Sequence, residues 1–243
     1  MKIRLDKACL SQMSTRAKAQ DAIKEGRVCV NGKVITKCGF LIEESDEIKI
    51  ESKDDDFVSR AGHKLEAAFQ AFSFSIENEI VLDIGASTGG FTDVCLRHGA
   101  KKVYALDVGH LQLAKELDED DRVIKMEGRN ARETIPEWFE DEIDFICMDV
   151  SFISAKTILE QIFKTLSFTH MAILIKPQFE CGPAYLDKHG VLKNEKIRNR
   201  IVEDMKAYIL TEFESIQVIP SPIQGRSGNQ EYIVYAKKRR CKS

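Results

Sequence analysis

A chain of 243 residues with 43% hydrophobic content can bury one medium domain plus a small one, and a net charge of −3 excludes a nonspecific polycation. No apolar run approaches the roughly 18 to 20 residues that span a bilayer, and the charged start MKIRLDKACL does not read as a secretory signal, so a cytosolic protein without a membrane partner is expected. Seven scattered cysteines without a C-x-x-C pair, and five histidines without ligand spacing, point to reduced thiols and no metal centre.

The charge is unevenly spread. Residues 1–37 carry nine Lys or Arg against three acids, whereas residues 38–56 carry two lysines against eight acids, and the tail from Lys237 to Lys242 is basic again. A local basic block in a mildly acidic chain is the pattern of a nucleic-acid module joined to something else. Within it, Ser14 can cap a helix that sets Ala17, Ala19, Ala22 and Ile23 against a basic side and ends at Gly26. RVCVNGKVI then reads as a hairpin with Asn31-Gly32 in a type I′ turn, and DEIKIE supplies another strand. The segments RLDKACL, S-x-R-x-x-A-x-x-x-I-x-x-G and V-x-V-N-G-x-V resemble the RNA-binding domain named after small-subunit ribosomal protein four, over about residues 1–50. That resemblance implies that Arg4, Lys7, Arg16, Lys18, Arg27 and Lys33 face an RNA backbone.

ESKDDD is a charged, turn-prone linker, which places a boundary near residue 56: a small α+β domain over 1–56 and a larger one over 57–243. Beyond it the expected order is a helix (60–72), strand (80–84), helix (91–98), strand (102–107), short helix, strand (122–126), strand (144–148), helix (155–166), strand (171–176), helix (195–212) and two strands, SIQVIP and EYIVYAKK. This alternation predicts an α/β, doubly wound, Rossmann-like sheet whose ligands sit at the strand carboxyl ends. The last two strands lack an intervening helix and should form an antiparallel hairpin at its end.

VLDIGASTGGFT combines a strand, a glycine turn and a helix start, and the next strand, KKVYALDVG, ends on Asp107, which suits two ribose hydroxyls. Gly85, Gly89 and Gly90 do not follow G-x-G-x-x-G, and Asp83 would repel a pyrophosphate while attracting a cation or ammonium group. S-adenosyl-L-methionine offers both, so Asp83, Gly85, Ser87, Gly89, Gly90 and Phe91, with Asp107 on the ribose and Asn130 and Ala131 near the adenine, form the expected cofactor site. The same turn also fits G-x-S-x-G, with Asp149 and His189 following in hydrolase order. Against a hydrolase, VLDIG is the first strand of its domain and no oxyanion-loop segment precedes it.

Four charged residues fall on the expected ligand rim: Lys64 on the helix before the first strand, Asp149 after FICM, Lys176 at the end of AILIK, and Glu231 after the turn GRSGNQ. SRAGHKL, LDIGASTGGFTDVCLRHGA, DVSFIS, LIKPQFE and GNQEY together resemble the TlyA (hemolysin A) family, which joins that RNA-binding domain to a class I methyltransferase domain of the FtsJ type. The resemblance implies methylation of a ribose 2′-hydroxyl, of a cytidine in ribosomal RNA, with Lys64, Asp149, Lys176 and Glu231 as catalytic tetrad, ribosomal RNA or subunits as partner, and no obligate protein partner. The chain departs from the family at GPAYLDKHGVLKN, where relatives often carry a lysine- and glycine-rich loop.

The chemistry is consistent with these residue types. A ribose hydroxyl is a poor nucleophile, so in-line attack on a sulfonium methyl needs a base and aligned reactants. Lys176 is assigned as the base, Lys64 as orienting or charge-tuning, and the two acids as positioners. DVSF lacks the two prolines expected where an amino nitrogen is held, and no Pro-Cys pair offers a nucleophile for carbon methylation, Cys181 being the nearest thiol. A membrane-damaging hemolysin and an RNA-binding protein with a dead enzyme domain are the alternatives. The first lacks an apolar span or amphipathic aromatic helix, and the second conflicts with a complete tetrad.

Overall fold

The structure, a computed structural model, describes residues 2–13, 16–51, 57–110, 112–225 and 227–239. Ser14, linker residues 52–56, Arg226 and the tail from residue 240 lie outside the described residues, as do the side chains of Ala17 and Lys18. The chain divides into two compact units, Met1–Ser59 and Arg60–Ser243.

In the first unit a helix at Arg16–Lys24 ends at Gly26, whose φ of +75° lets the Gly26 and Arg27 N–H groups bond back to Ile23 and Ala22. The strands Val28–Val30 and Lys33–Val34 form the expected hairpin through Asn31 and Gly32, both with positive φ, and Ile48–Ile50 pairs on the other side of Val28–Val30. Leu5, Cys9, Ala19, Ala22, Ile23, Val28, Val30 and Ile42 make the core. Beside it lies Asp6, a fully buried carboxylate bonded by Arg4, Arg16 and Gln20 at 2.9–3.1 Å. The Arg4 hydrogen bond, reinforced by Gln20 and Arg16, holds it well below the usual carboxylate range against the opposing cost of burial.

The six residues expected to meet RNA divide in consequence. Lys7 and Lys33 are exposed, and Arg4 and Arg16, though tied to Asp6, keep about half of each side chain exposed. Arg27 corrects the expectation: it is buried, donating to Glu25 Oε2 at 2.8 Å and to the Glu51 carbonyl at 3.2 Å. It follows the helix cap and enters the central strand, so its guanidinium folds onto its own domain.

The second unit is built on a seven-stranded sheet: β1 Ile80–Ile84, β2 Lys102–Asp107, β3 Val123–Glu127, β4 Phe145–Met148, β5 His170–Ile175, β6 Phe213–Pro220 and β7 Tyr232–Arg239, in the order β6-β7-β5-β4-β1-β2-β3. Strands β1 to β5 are parallel, and β7 runs antiparallel to both β5 and β6. The hairpin stands at the end of the sheet as expected, with β7 against β5 and β6 outermost. The residues explain this: Ile233, Val234, Tyr235 and Ala236 are all buried, as an interior strand requires, whereas β6 is only partly buried and ends on Pro220, which suits an edge.

Helices α1 Gly62–Phe72, α2 Gly90–Arg97, α3 Lys115–Asp118, α4 Ala155–Thr165, α5 Pro177–Glu180 and α6 Glu195–Ile209 complete the unit. Ile80, Leu82 and Ile84 pack into one core with α4 and α6, so by the two-residue period Val81 and Asp83 face the opposite side, where α2 lies. The carboxyl ends of β1, β4 and β5 and the start of antiparallel β7 thus share one edge of the sheet.

Candidate active site

Between β1 and α2 the chain turns through Gly85, Ser87 and Gly89, at φ of +83°, +49° and +95°. A Cβ on Gly85 would lie 2.7 Å from the Asp149 carbonyl oxygen, and one on Gly89 2.2 Å from Leu117 Cδ1, so both positions need glycine for space as well as for conformation. Ser87 bears a left-handed strain of order 1 kcal/mol. In return its N–H reaches Asp107 Oδ2 at 2.8 Å, while the Gly109 N–H reaches Oδ1 at 2.7 Å. Asp107 is held rigidly with about half of its four acceptor positions filled.

Asp83 is fully buried, and its Oδ2 accepts from Thr92 Oγ1 at 2.7 Å. Burial pushes this carboxyl up to about 7, and its Oδ1 accepts no hydrogen bond. Phe91 and Gly90 are buried at the start of α2. Past β3, the Arg129 N–H donates to the Asp107 carbonyl at 3.1 Å, which brings the following Asn130 and buried Ala131 to the carboxylate's end of the sheet. There Asn130 Oδ1 accepts from the Arg132 N–H at 3.1 Å and caps a short 3-10 turn.

The hydrolase arrangement does not form. Ser87 Oγ donates to Gln112 Oε1 at 3.1 Å, His189 is exposed on a loop closed by Asp187, and Asp149 is engaged by lysines.

The four rim residues meet in one chain of alternating charge. Glu231 Oε2 lies 2.7 Å from Lys64 Nζ, Lys64 Nζ lies 3.4 Å from Asp149 Oδ2, and Asp149 Oδ1 lies 2.5 Å from Lys176 Nζ. Lys64, Lys176 and Glu231 are buried and Asp149 nearly so. Lys64 rises from α1, Asp149 follows β4, Lys176 follows β5 one residue beyond the strand, and Glu231 directly precedes β7. Gly225 makes room for the last of these, since a Cβ there would sit 2.6 Å from Glu231 Oε1. With two cations and two anions the chain is neutral as a set, so it can remain buried without a counterion.

Sequence reasoning missed three neighbours, all within motifs that it had singled out. Ser151 Oγ accepts a hydrogen bond from Lys176 Nζ at 2.9 Å. Gln178 is buried with its Nε2 3.4 Å from Glu231 Oε1. Phe152 is 91% exposed, has a φ of +64°, and lies 5.2 Å from the Phe179 ring. A signal for Phe152 was its position, an aromatic three residues beyond a rim carboxylate, but nothing local announced its backbone. Cys181 is a poor nucleophile candidate, because burial raises its thiol.

The FtsJ-like methyltransferase family model matches residues 57–238, and the S4 domain model matches residues 3–48. The chain belongs to the FtsJ-like methyltransferase family. It is 45% identical over 238 residues to the protein named Hemolysin A of Brachyspira hyodysenteriae, covering 96% of this chain and 99% of that one. It is 36% identical over 225 residues to the 16S/23S rRNA (cytidine-2'-O)-methyltransferase TlyA of Mycobacterium tuberculosis, covering 91% and 84%. A solved structure from Streptococcus thermophilus, described as a hemolysin, superposes with a TM-score of 0.76 at 38% identity, over 98% of this chain and 88% of the other. This FtsJ-like enzyme thus shares its two-part organisation with relatives along nearly their whole length. Among the described residues no helix is long and apolar enough to cross a membrane.

Proposed function

We propose that this FtsJ-like enzyme methylates a ribose 2′-hydroxyl in ribosomal RNA, that of a cytidine, with S-adenosyl-L-methionine as methyl donor. The observation that carries the reading is the buried Lys64–Asp149–Lys176–Glu231 chain at the sheet edge that also holds the glycine turn. The names of the TlyA relatives support the substrate, and a ribosomal substrate implies a cytoplasmic setting.

The residues present fit the donor. The close approach at Gly85 leaves backbone where a side chain would otherwise stand, the fixed Asp107 carboxylate retains acceptors for two ribose hydroxyls, and Asp83 supplies a carboxylate toward a cationic ligand. When bound, S-adenosyl-L-methionine supplies an electrophilic methyl on a sulfonium. Lys176 accepts the hydroxyl proton, Lys64 holds Asp149 and Glu231 in register, and the two acids keep the lysines in place. The exposed Phe152 offers a flat apolar face to a base turned out of its stack.

Incubation with labelled donor and separated ribosomal subunits, followed by mapping of the modified nucleotide, tests the reading. Label on a base, or none on RNA, would sink it. Asp107→Ala should weaken donor binding by about 1–3 kcal/mol, and calorimetry that instead found NAD binding would overturn the cofactor assignment. Phe152→Ala should raise KM for RNA by roughly fivefold to a hundredfold, the scale of losing about 1–3 kcal/mol of base stacking, with donor affinity unchanged. An unaltered KM would show that no base rests there.

A further inference from the structure

Lys176 Nζ has two polar neighbours of different kinds. Asp149 Oδ1 lies 2.5 Å away and pairs with the amine by charge. Ser151 Oγ, 2.9 Å away, accepts a hydrogen bond from it. A hydrogen bond is directional, so Ser151, together with Asp149, sets the rotation of the amine about its Cε–Nζ bond. In the neutral amine one N–H then points at Ser151, and the lone pair lies on another tetrahedral direction.

Ser151 is itself held in place. The Asp149–Ser154 segment is fastened at its far end by Glu180, whose Oε2 accepts from Ser154 Oγ at 2.5 Å and whose Oε1 accepts from the Ala155 N–H at 2.7 Å. Glu180 ends α5, the helix that begins directly after Lys176. Both partners of the Lys176–Ser151 bond therefore belong to segments that Glu180 ties together. Between the two ties Phe152 adopts its left-handed φ, a strained backbone that persists only where its surroundings over-determine it.

We propose that Ser151 is a positioning residue of this enzyme, orienting the Lys176 amine so that its lone pair faces the substrate hydroxyl. The inference rests on the ribose-methylation reading. In the step it serves, the hydroxyl O–H bond breaks, an N–H bond forms on Lys176, and the oxygen bonds to the methyl as the carbon–sulfur bond breaks with its electron pair staying on sulfur.

Single-turnover methyl transfer to ribosomal RNA, by the full chain at saturating donor and RNA, tests it. Ser151→Ala should slow transfer about tenfold to a hundredfold, the scale of a misaligned reacting group. Donor affinity by calorimetry and the thermal midpoint should stay at their wild-type values. Ser151→Thr, which keeps the hydroxyl, should restore most of the rate. In a Lys176→Ala background Ser151→Ala should cost nothing further, since it acts through the lysine. Wild-type rates in Ser151→Ala, an equal extra loss without Lys176, or loss of donor binding would each overturn the inference. If the wild-type protein placed no methyl on ribose, the functional reading itself would fall, an outcome distinct from these.

Discussion

Lys176→Ala should lower methyl transfer by about a hundredfold to ten-thousandfold, the range for losing a general base, while leaving donor affinity nearly unchanged. The lysine follows β5, and neither the Gly85–Gly89 turn nor the Asp107 carboxylate is bonded to it, so truncation leaves the groups proposed to face the donor standing. Removing the cation does leave Asp149 paired, among the described residues, only with Lys64 at 3.4 Å, so a modest loss of stability should accompany the loss of rate. Lys176→Arg separates chemistry from charge. A guanidinium keeps the ion pair with Asp149 but stays protonated in proteins and cannot accept the hydroxyl proton. Transfer should therefore be nearly as slow as in the alanine variant. Near-normal single-turnover rates in the arginine variant would mean that Lys176 acts as a fixed charge and that the base lies elsewhere.

Removal of the first domain, leaving a chain that starts near residue 56, should abolish most RNA affinity and keep donor binding. The residues proposed to face the donor all lie in the second unit, whereas the exposed cations Arg4, Lys7, Arg16 and Lys33 lie in the first. Four phosphate contacts contribute about −3 to the slope of log affinity against log salt. The truncated chain should show a slope flatter by about that amount. Arg27→Ala in the full chain should leave the slope alone, because that side chain is buried against Glu25 and Glu51. If the truncated chain methylated ribosomal RNA as well as the full protein does, this division of labour would be wrong.

Strand and helix positions were largely legible because each carries its own local signal. Gly26 and Asn31-Gly32 mark a helix end and a hairpin through φ values that other residues disfavour, and the structure has positive φ at all three. Uniformly apolar runs such as FICM and AILI mark strands covered on both faces. Position in the sheet was less legible: β7 inside β6 depends on which strand the rest of the sheet covers, and that follows from the total burial rather than from the hairpin itself.

By itself the sequence determined the two-part organisation, the parallel direction of the first five strands, the glycine turn and the four charged residues of the rim, since each depends on short spacing or on the period and alternation of elements. Only the tertiary structure decided that Arg27 turns inward, that Asp6 gathers Arg4 and Arg16, and that Ser151 meets Lys176. Pairing between a strand end and a loop 25 residues away is a product of the packed sheet. A serine or an arginine has the same local propensity whether it faces solvent, a carboxylate or an amine, so its partner is chosen when the elements close around it.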